Sequence, residues 1–338
     1  MKRIAVFCDG TWNSPEHGFP TNVLRMAQAV RPAANGAEQV VFYDWGIGTD
    51  QHTIAGGMTG AGIDKNIMDC YRFIIHNFNP GDKLFFFGFS RGAYTVRSLA
   101  GMIRNCGLLK REHAGKVQDA YRLYRQRSDD SHPDSDQAVR FRRDFAIEDL
   151  TRIEFVGVWD TVGALGIPIP FLGSLGAGDY LFHDTEPSKI IQHARHAVSI
   201  DENRKHFDPT LWSRKEEVDI KQVWFAGVHS DVGGGYAETG LSHCAMEWMI
   251  QDAETFDFEF EDHLRNTIHP DHTDVQHDER MGFYLLDPKV TRNVSEPLHL
   301  SVKKRWEENI HNYRKTSKAL ARFLKSRDND WSRIEVVG

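Results

Sequence analysis

The sequence lacks most of the features that would place it in a specialised class. Only four cysteines occur in 338 residues (Cys8, Cys70, Cys106 and Cys244), and none forms a Cys-x-x-Cys pair. That excludes a disulfide scaffold, and the thiols read as reduced and mostly buried in a chain made in the cytosol. No apolar run approaches the ~20 residues that cross a bilayer. The basic start at Lys2 and Arg3 leads into an apolar stretch, Ile4–Cys8, that is shorter than the ~7–15 residues of a signal-peptide core. The expectation is a chain that is cytoplasmic as synthesised, with any export independent of a cleaved leader. Basic charge is not in excess. Lys and Arg number 41 against 48 Asp and Glu, a net charge of −7, which argues against a nucleic-acid-binding surface. Internal repeats and low-complexity segments are absent.

The composition, with 40% apolar and 26% charged residues, is that of a globular chain large enough for a substantial core. Apolar strands alternate with helical patterns. Ile4–Cys8, Gln39–Tyr43, Lys83–Phe89, Ile153–Trp159 and Gln222–Val228 read as strands. Asn22–Val30, the stretch after Asp64, Arg91–Arg104 and Leu241–Ile250 read as helices. Such alternation predicts an α/β fold with a parallel central sheet and helices on both faces. Residues 111–150 interrupt the rhythm and read as a surface insertion. The last 40 or so residues read as one basic helix and a tail. The expected organisation is a catalytic domain over 1–285, with the insertion at about 111–150, and a helical C-terminal tail over 286–338 that packs on it.

Chemistry concentrates at Gly88-Phe89-Ser90-Arg91-Gly92. G-x-S-x-G after an apolar strand and before a helix is the turn that lifts a serine above a sheet. Its glycines allow a tight turn, and the helix start offers backbone N–H groups to a developing oxyanion. A nucleophilic serine needs a base, and the base needs an orienting acid. Asp160 and His229 follow two later strands, in the chain order Ser, Asp, His. All three would then emerge at the C-terminal edge of the sheet, where parallel sheets build their sites. Asp201 and Asp231 are competing acids. The loop Asp9-Gly10-Thr11-Trp12-Asn13 follows the first strand, so N–H groups of Gly10 or Thr11, with that of Arg91, are candidate oxyanion donors. Phe171 and Leu172, in an apolar loop just after the candidate acid, are candidates for substrate contact as an acyl site or lid.

Other motifs lead away from cofactors. Gly56–Gly62 matches neither the phosphate-loop nor the dinucleotide-binding spacing. His269–Glu279 is rich in imidazoles and carboxylates but lacks metal-site spacing and reads as a solvated loop. No metal and no cofactor are expected. The basic segment Lys303–Arg333 carries Leu320, Phe323 and Leu324 on one side. That side can pack on its own domain or meet anionic lipid.

Five motifs in order carry a resemblance to a family. They are Asp9-Gly-Thr-Trp-Asn13, Gly60-Ala-Gly62, Gly88–Tyr94, Trp159-Asp-Thr-Val-Gly163 and Gly227–Tyr236. Together they resemble the α/β-hydrolase catalytic domain of the first class of type VI secretion lipase effectors, long catalogued as a domain of unknown function. The resemblance covers roughly residues 1–285. It implies a triad at Ser90, Asp160 and His229, ester hydrolysis with phospholipids as substrates of the effector members, and a secretion-apparatus or immunity partner. The effectors usually carry further docking or delivery regions, whereas this sequence reads as close to a bare catalytic domain. The reading is therefore a serine hydrolase of carboxylic esters, of lipid or phospholipid above all, with peripheral membrane contact and no nucleic-acid partner. The alternative is a non-catalytic binding or membrane-surface adaptor on the same scaffold.

Overall fold

The structure is a computed structural model that describes residues 1–10, 18–46, 60–126, 132–162, 186–280 and 288–338. Among the described residues nine strands form one sheet in the order β2-β3-β1-β4-β5-β6-β7-β8-β9. Its middle consists of β1 (Lys2–Cys8), β3 (Ala37–Asp44), β4 (Lys83–Phe89), β5 (Ile153–Trp159), β6 (Ile191–Ser199) and β7 (Asp219–Phe225). Each of these pairs parallel with its neighbours. The two-residue β2 (Ala33–Ala34) is antiparallel to β3 and closes one edge. The predicted α/β class is the observed one.

Side-chain alternation along the central strands builds two cores. On one face Ile4, Val6, Leu84 and Phe86 pack under α2 (Gly60–Asn77) and α3 (Arg91–Cys106). On the other, Ala5, Phe7, Phe85 and Phe87 pack under α1 (Asn22–Gln28), with Phe7 and Phe87 stacked at 4.7 Å. Strands buried on both faces read as continuous apolar runs, which is why β1, β4 and β5 are plain in the sequence. The strand β6 is not. Its Arg195 and His196 are buried, and Arg195 is held there by Asp219 and Asp252. Helix α2 starts four residues before Asp64, whose carboxylate accepts from Tyr121 Oη (2.6 Å) instead of capping the helix.

The 111–150 stretch carries α4 (Val117–Arg125) and α5 (Asp136–Phe145). Val117, Ala120, Tyr121 and Leu123 of α4 are buried in the same core as α2 and α3. Strand β7 is followed by α6 (His229–Gly233), α7 (Gly240–Glu254) and α8 (Asp262–Thr267). The C-terminal segment is broken into α9 (Leu300–Glu307), α10 (Tyr313–Thr316) and α11 (Lys318–Lys325). It also adds two short strands, β8 (Leu298–His299) and β9 (Val336–Val337), to the sheet edge. Leu320, Phe323 and Leu324 of α11 are buried against Trp224 and Val198, so this face packs on its own chain. Among the described residues no helix is long and apolar enough to cross a membrane.

The tightest joint lies where α3 meets β1. A Cβ at Gly92 would sit 2.0 Å from the carbonyl oxygen of Cys8, and one at Gly88 would sit 2.5 Å from that of Gly92. Gly92→Ala is therefore expected to cost about 1–3 kcal/mol of stability through overpacking. Gly115→Ala, with nothing within 4 Å, should stay within about 0.5 kcal/mol of the parent. Urea denaturation of the two variants checks the contrast.

Candidate active site

Ser90 stands between the end of β4 and the first residue of α3, with φ 57° and ψ −120°. A non-glycine residue at positive φ is strained, and such strain persists only where packing enforces it. Here the enforcement comes from the Gly88–Gly92 contact and from a hydrogen bond of Ser90 N–H to the Trp159 carbonyl (3.1 Å). As first residue of α3, Arg91 carries a backbone N–H with no intrahelical acceptor.

Asp160 follows β5, is fully buried and also has positive φ, at 38°. Its Oδ2 lies 2.6 Å from His229 Nδ1. Its Oδ1 accepts from the Ser199 backbone N–H (2.9 Å). The sequence reading missed the third partner, Arg292. That guanidinium grips both carboxylate oxygens, Nη1 at 2.5 Å from Oδ1 and Nη2 at 3.0 Å from Oδ2. It also donates to the Ser199 carbonyl (2.8 Å) and to the Phe207 carbonyl (2.5 Å). Burial alone would raise the Asp160 pKa, but Arg292 and His229 outweigh it and hold the carboxyl far below its usual range.

His229 does not end a strand. It opens α6, four residues past the end of β7. Two carboxylates fix that helix start. Glu202 accepts from the His229 N–H (3.3 Å) and Glu279 from the Ser230 N–H (2.8 Å), and Arg204 bonds both. The imidazole packs on Phe89, with ring centroids 4.6 Å apart, and edge-on to Phe207 at 5.1 Å. Phe89 precedes Ser90, so Ser90 and the imidazole share one small neighbourhood. Among the described residues no hydrogen bond joins Ser90 Oγ to His229, a bond that often tightens only with substrate present.

The competing acids are engaged elsewhere. Asp231 bonds His277 Nδ1 (2.6 Å) and the Val228 N–H (3.0 Å). Asp201 bonds Tyr313 Oη (2.8 Å), Ser317 and the Gly227 N–H (2.9 Å). Burial pushes both carboxyls up, opposite to Asp160. Gly10 lies beside the elbow, but its N–H already donates to Asp9 Oδ1 (2.9 Å) and would have to leave that acceptor to serve an oxyanion. Thr11, Phe171 and Leu172 lie outside the described residues. The acid-rich 269–279 stretch spends its groups on structure. Asp274 accepts from Gly240 N–H (2.7 Å) and His272 meets Glu308 (3.0 Å). The one trio of possible metal ligands among the described residues is Cys8, Asp44 and Cys70. Its two sulfurs are 3.5 Å apart, and burial pushes the Cys8 thiol well up.

The family described as "T6SS, Phospholipase effector Tle1-like, catalytic domain" matches residues 2–252. The chain belongs to this family. An uncharacterized protein of Saccharomyces cerevisiae is 32% identical over 227 residues, which is 61% of this chain and 32% of that protein. A crystal structure of an uncharacterized protein from Pseudomonas aeruginosa aligns with TM-score 0.46 and 16% identity, over 80% of this chain and 49% of the other. The Tle1 effector bound to the VgrG spike of the type 6 secretion system aligns with TM-score 0.40 and 20% identity, over 70% and 52%. This Tle1-like chain thus spans about a third of the curated relative and about half of each solved chain. Arg292, which clamps Asp160, lies beyond the residues that the family matches.

A carboxylate with a depressed folded pKa stabilises the fold above its unfolded value of about 3.9, and that contribution is lost as pH falls below it. Asp160→Asn should therefore flatten the acid loss of stability below about pH 4, measured as the urea midpoint against pH. Arg292→Met should cost about 3–5 kcal/mol at neutral pH by stranding the buried carboxylate.

Proposed function

We propose that the protein is a serine hydrolase that cleaves the carboxylic esters of lipids, phospholipids among them. Family membership supports the lipase class. The observation that carries the mechanism is the 2.6 Å bond between buried Asp160 and His229 Nδ1, beside a serine held at positive φ between strand and helix. The bond leaves His229 Nε2 as the nitrogen able to act as base.

In this mechanism Ser90 Oγ attacks the ester carbonyl carbon as its proton passes to His229 Nε2. The new oxyanion is met by the Arg91 N–H and by an N–H of the Gly10–Thr11 loop. Collapse of the tetrahedral species breaks the bond to the alcohol, which leaves with the proton from His229. Water then attacks the acyl-Ser90 ester as its proton passes to His229, the acyl–Oγ bond breaks, and His229 returns the proton to Ser90 Oγ as the fatty acid leaves. Asp160 stays ionised throughout, holding the imidazole tautomer and stabilising its cation. The same membership supports export by a type VI apparatus and contact with its components.

Nitrophenyl esters from short to long acyl chains, assayed beside a phosphatidyl lipid, test this reading. Ser90→Ala should lower kcat by about 10⁴-fold or more. Turnover of long chains and phospholipid that depends on Ser90 is the expected result. Turnover confined to short esters would leave an esterase, and none at all would favour a binding protein on this scaffold.

A further inference from the structure

Arg292, which clamps Asp160, also forms part of the wall of a cavity of about 720 Å³. The other walls come from residues 200–203 after β6, residues 275–278, and the segment from α9 to α11. Ser90 does not line it among the described residues. The volume is that of a small-ligand site.

The electrostatics of this cavity are unbalanced. Arg305 in its wall is 1% exposed, and among the described residues no carboxylate pairs with it. Its Nη1 donates only to the neutral carbonyls of His272 (2.6 Å) and Asp274 (2.8 Å). Its Nε is buried without a partner, as is the Nε of Arg292. Asp201 and Asp271 act on it only through space, without a direct ion pair, and an anion in direct contact would offset the cost of burying this guanidinium. Lys289, Lys315 and Lys318 also line the cavity, and all three are exposed and, among the described residues, in no ion pair. Three carboxylates oppose them. Glu202 is bound to Arg204, and Asp278 accepts from the Arg280 N–H (3.0 Å). Asp201 is taken up by Tyr313 and Ser317. Asn203 Oδ1 and Gln276 Oε1, also in the wall, are buried acceptors without donors.

We propose that this cavity binds a phosphate monoester, with Arg305 as the buried anchor and Lys289, Lys315 and Lys318 as the cationic rim. Two guanidinium donors suit the phosphate oxygens, and the two unpartnered amide oxygens suit hydroxyl groups on the same ligand. The same chemistry occurs on a free phosphorylated polyol and on a lipid headgroup. Binding does not require that Ser90 react, so it can be tested apart from the hydrolase reading.

The test is calorimetric titration of the full chain with glycerol 3-phosphate and with inorganic phosphate. Sedimentation with phosphatidylcholine vesicles, with and without phosphatidic acid, runs in parallel. Saturable one-to-one binding of the free phosphates, weakened at least about tenfold in the Lys315→Ala, Lys318→Ala double variant and unchanged in Ser90→Ala, is the expected result. Sedimentation that depends on phosphatidic acid and on these lysines, without free-ligand binding, would assign the cavity to a lipid headgroup. The absence of both would overturn the proposal. So would binding indifferent to the lysines and to Arg305→Lys.

Discussion

A carboxylate with no exposed surface is expensive unless its charge is met, and Asp160 is met from three directions. Arg292 grips it bidentately, the Ser199 N–H donates to it, and His229 shares its second oxygen. These contacts join the ends of β5 and β6, the start of α6 and the C-terminal segment at one point. The position of His229 beside Phe89, and so beside Ser90, depends on this junction.

The junction also explains why the segment after the family's matched region belongs to the site. Arg292 reaches inward from it, and β8 and β9 extend the sheet. The same segment seals Asp201 with Tyr313 and Ser317. Asp160, the preferred acid in the sequence, and its competitor Asp201 are thereby sorted by environment. One is strongly ionised by a guanidinium, and the other is driven by burial towards its neutral form. Of the two, only the first is bonded to the His229 imidazole among the described residues.

Much of the framework was legible because its physics is local. Lys83–Phe89 and Ile153–Trp159 are apolar runs and appear as strands with those bounds. Gly88 and Gly92 announce a close approach, and the approach is there. What escaped depends on distant partners. β6 hides behind Gln192, His193, Arg195 and His196, half-buried or buried polar residues whose partners lie many residues away. Burial drives His196 down to about 3, so it stays neutral and accepts from the Thr161 N–H (3.1 Å). The C-terminal stretch looked like one basic helix because its breaks fall at Asn309 and Asn312, which adopt left-handed backbone without glycine. Nothing adjacent to Arg292 in the chain marks it as the partner of a residue 132 positions earlier.

The claim at the centre of this account is that the strained serine at the end of β4 is a nucleophile activated by His229. Labelling the intact chain with a fluorophosphonate, followed by mass spectrometry of the modified peptide, tests it most directly. The account predicts stoichiometric modification at Ser90, abolished in His229→Ala. Modification at another serine, or none on a folded protein, would contradict it.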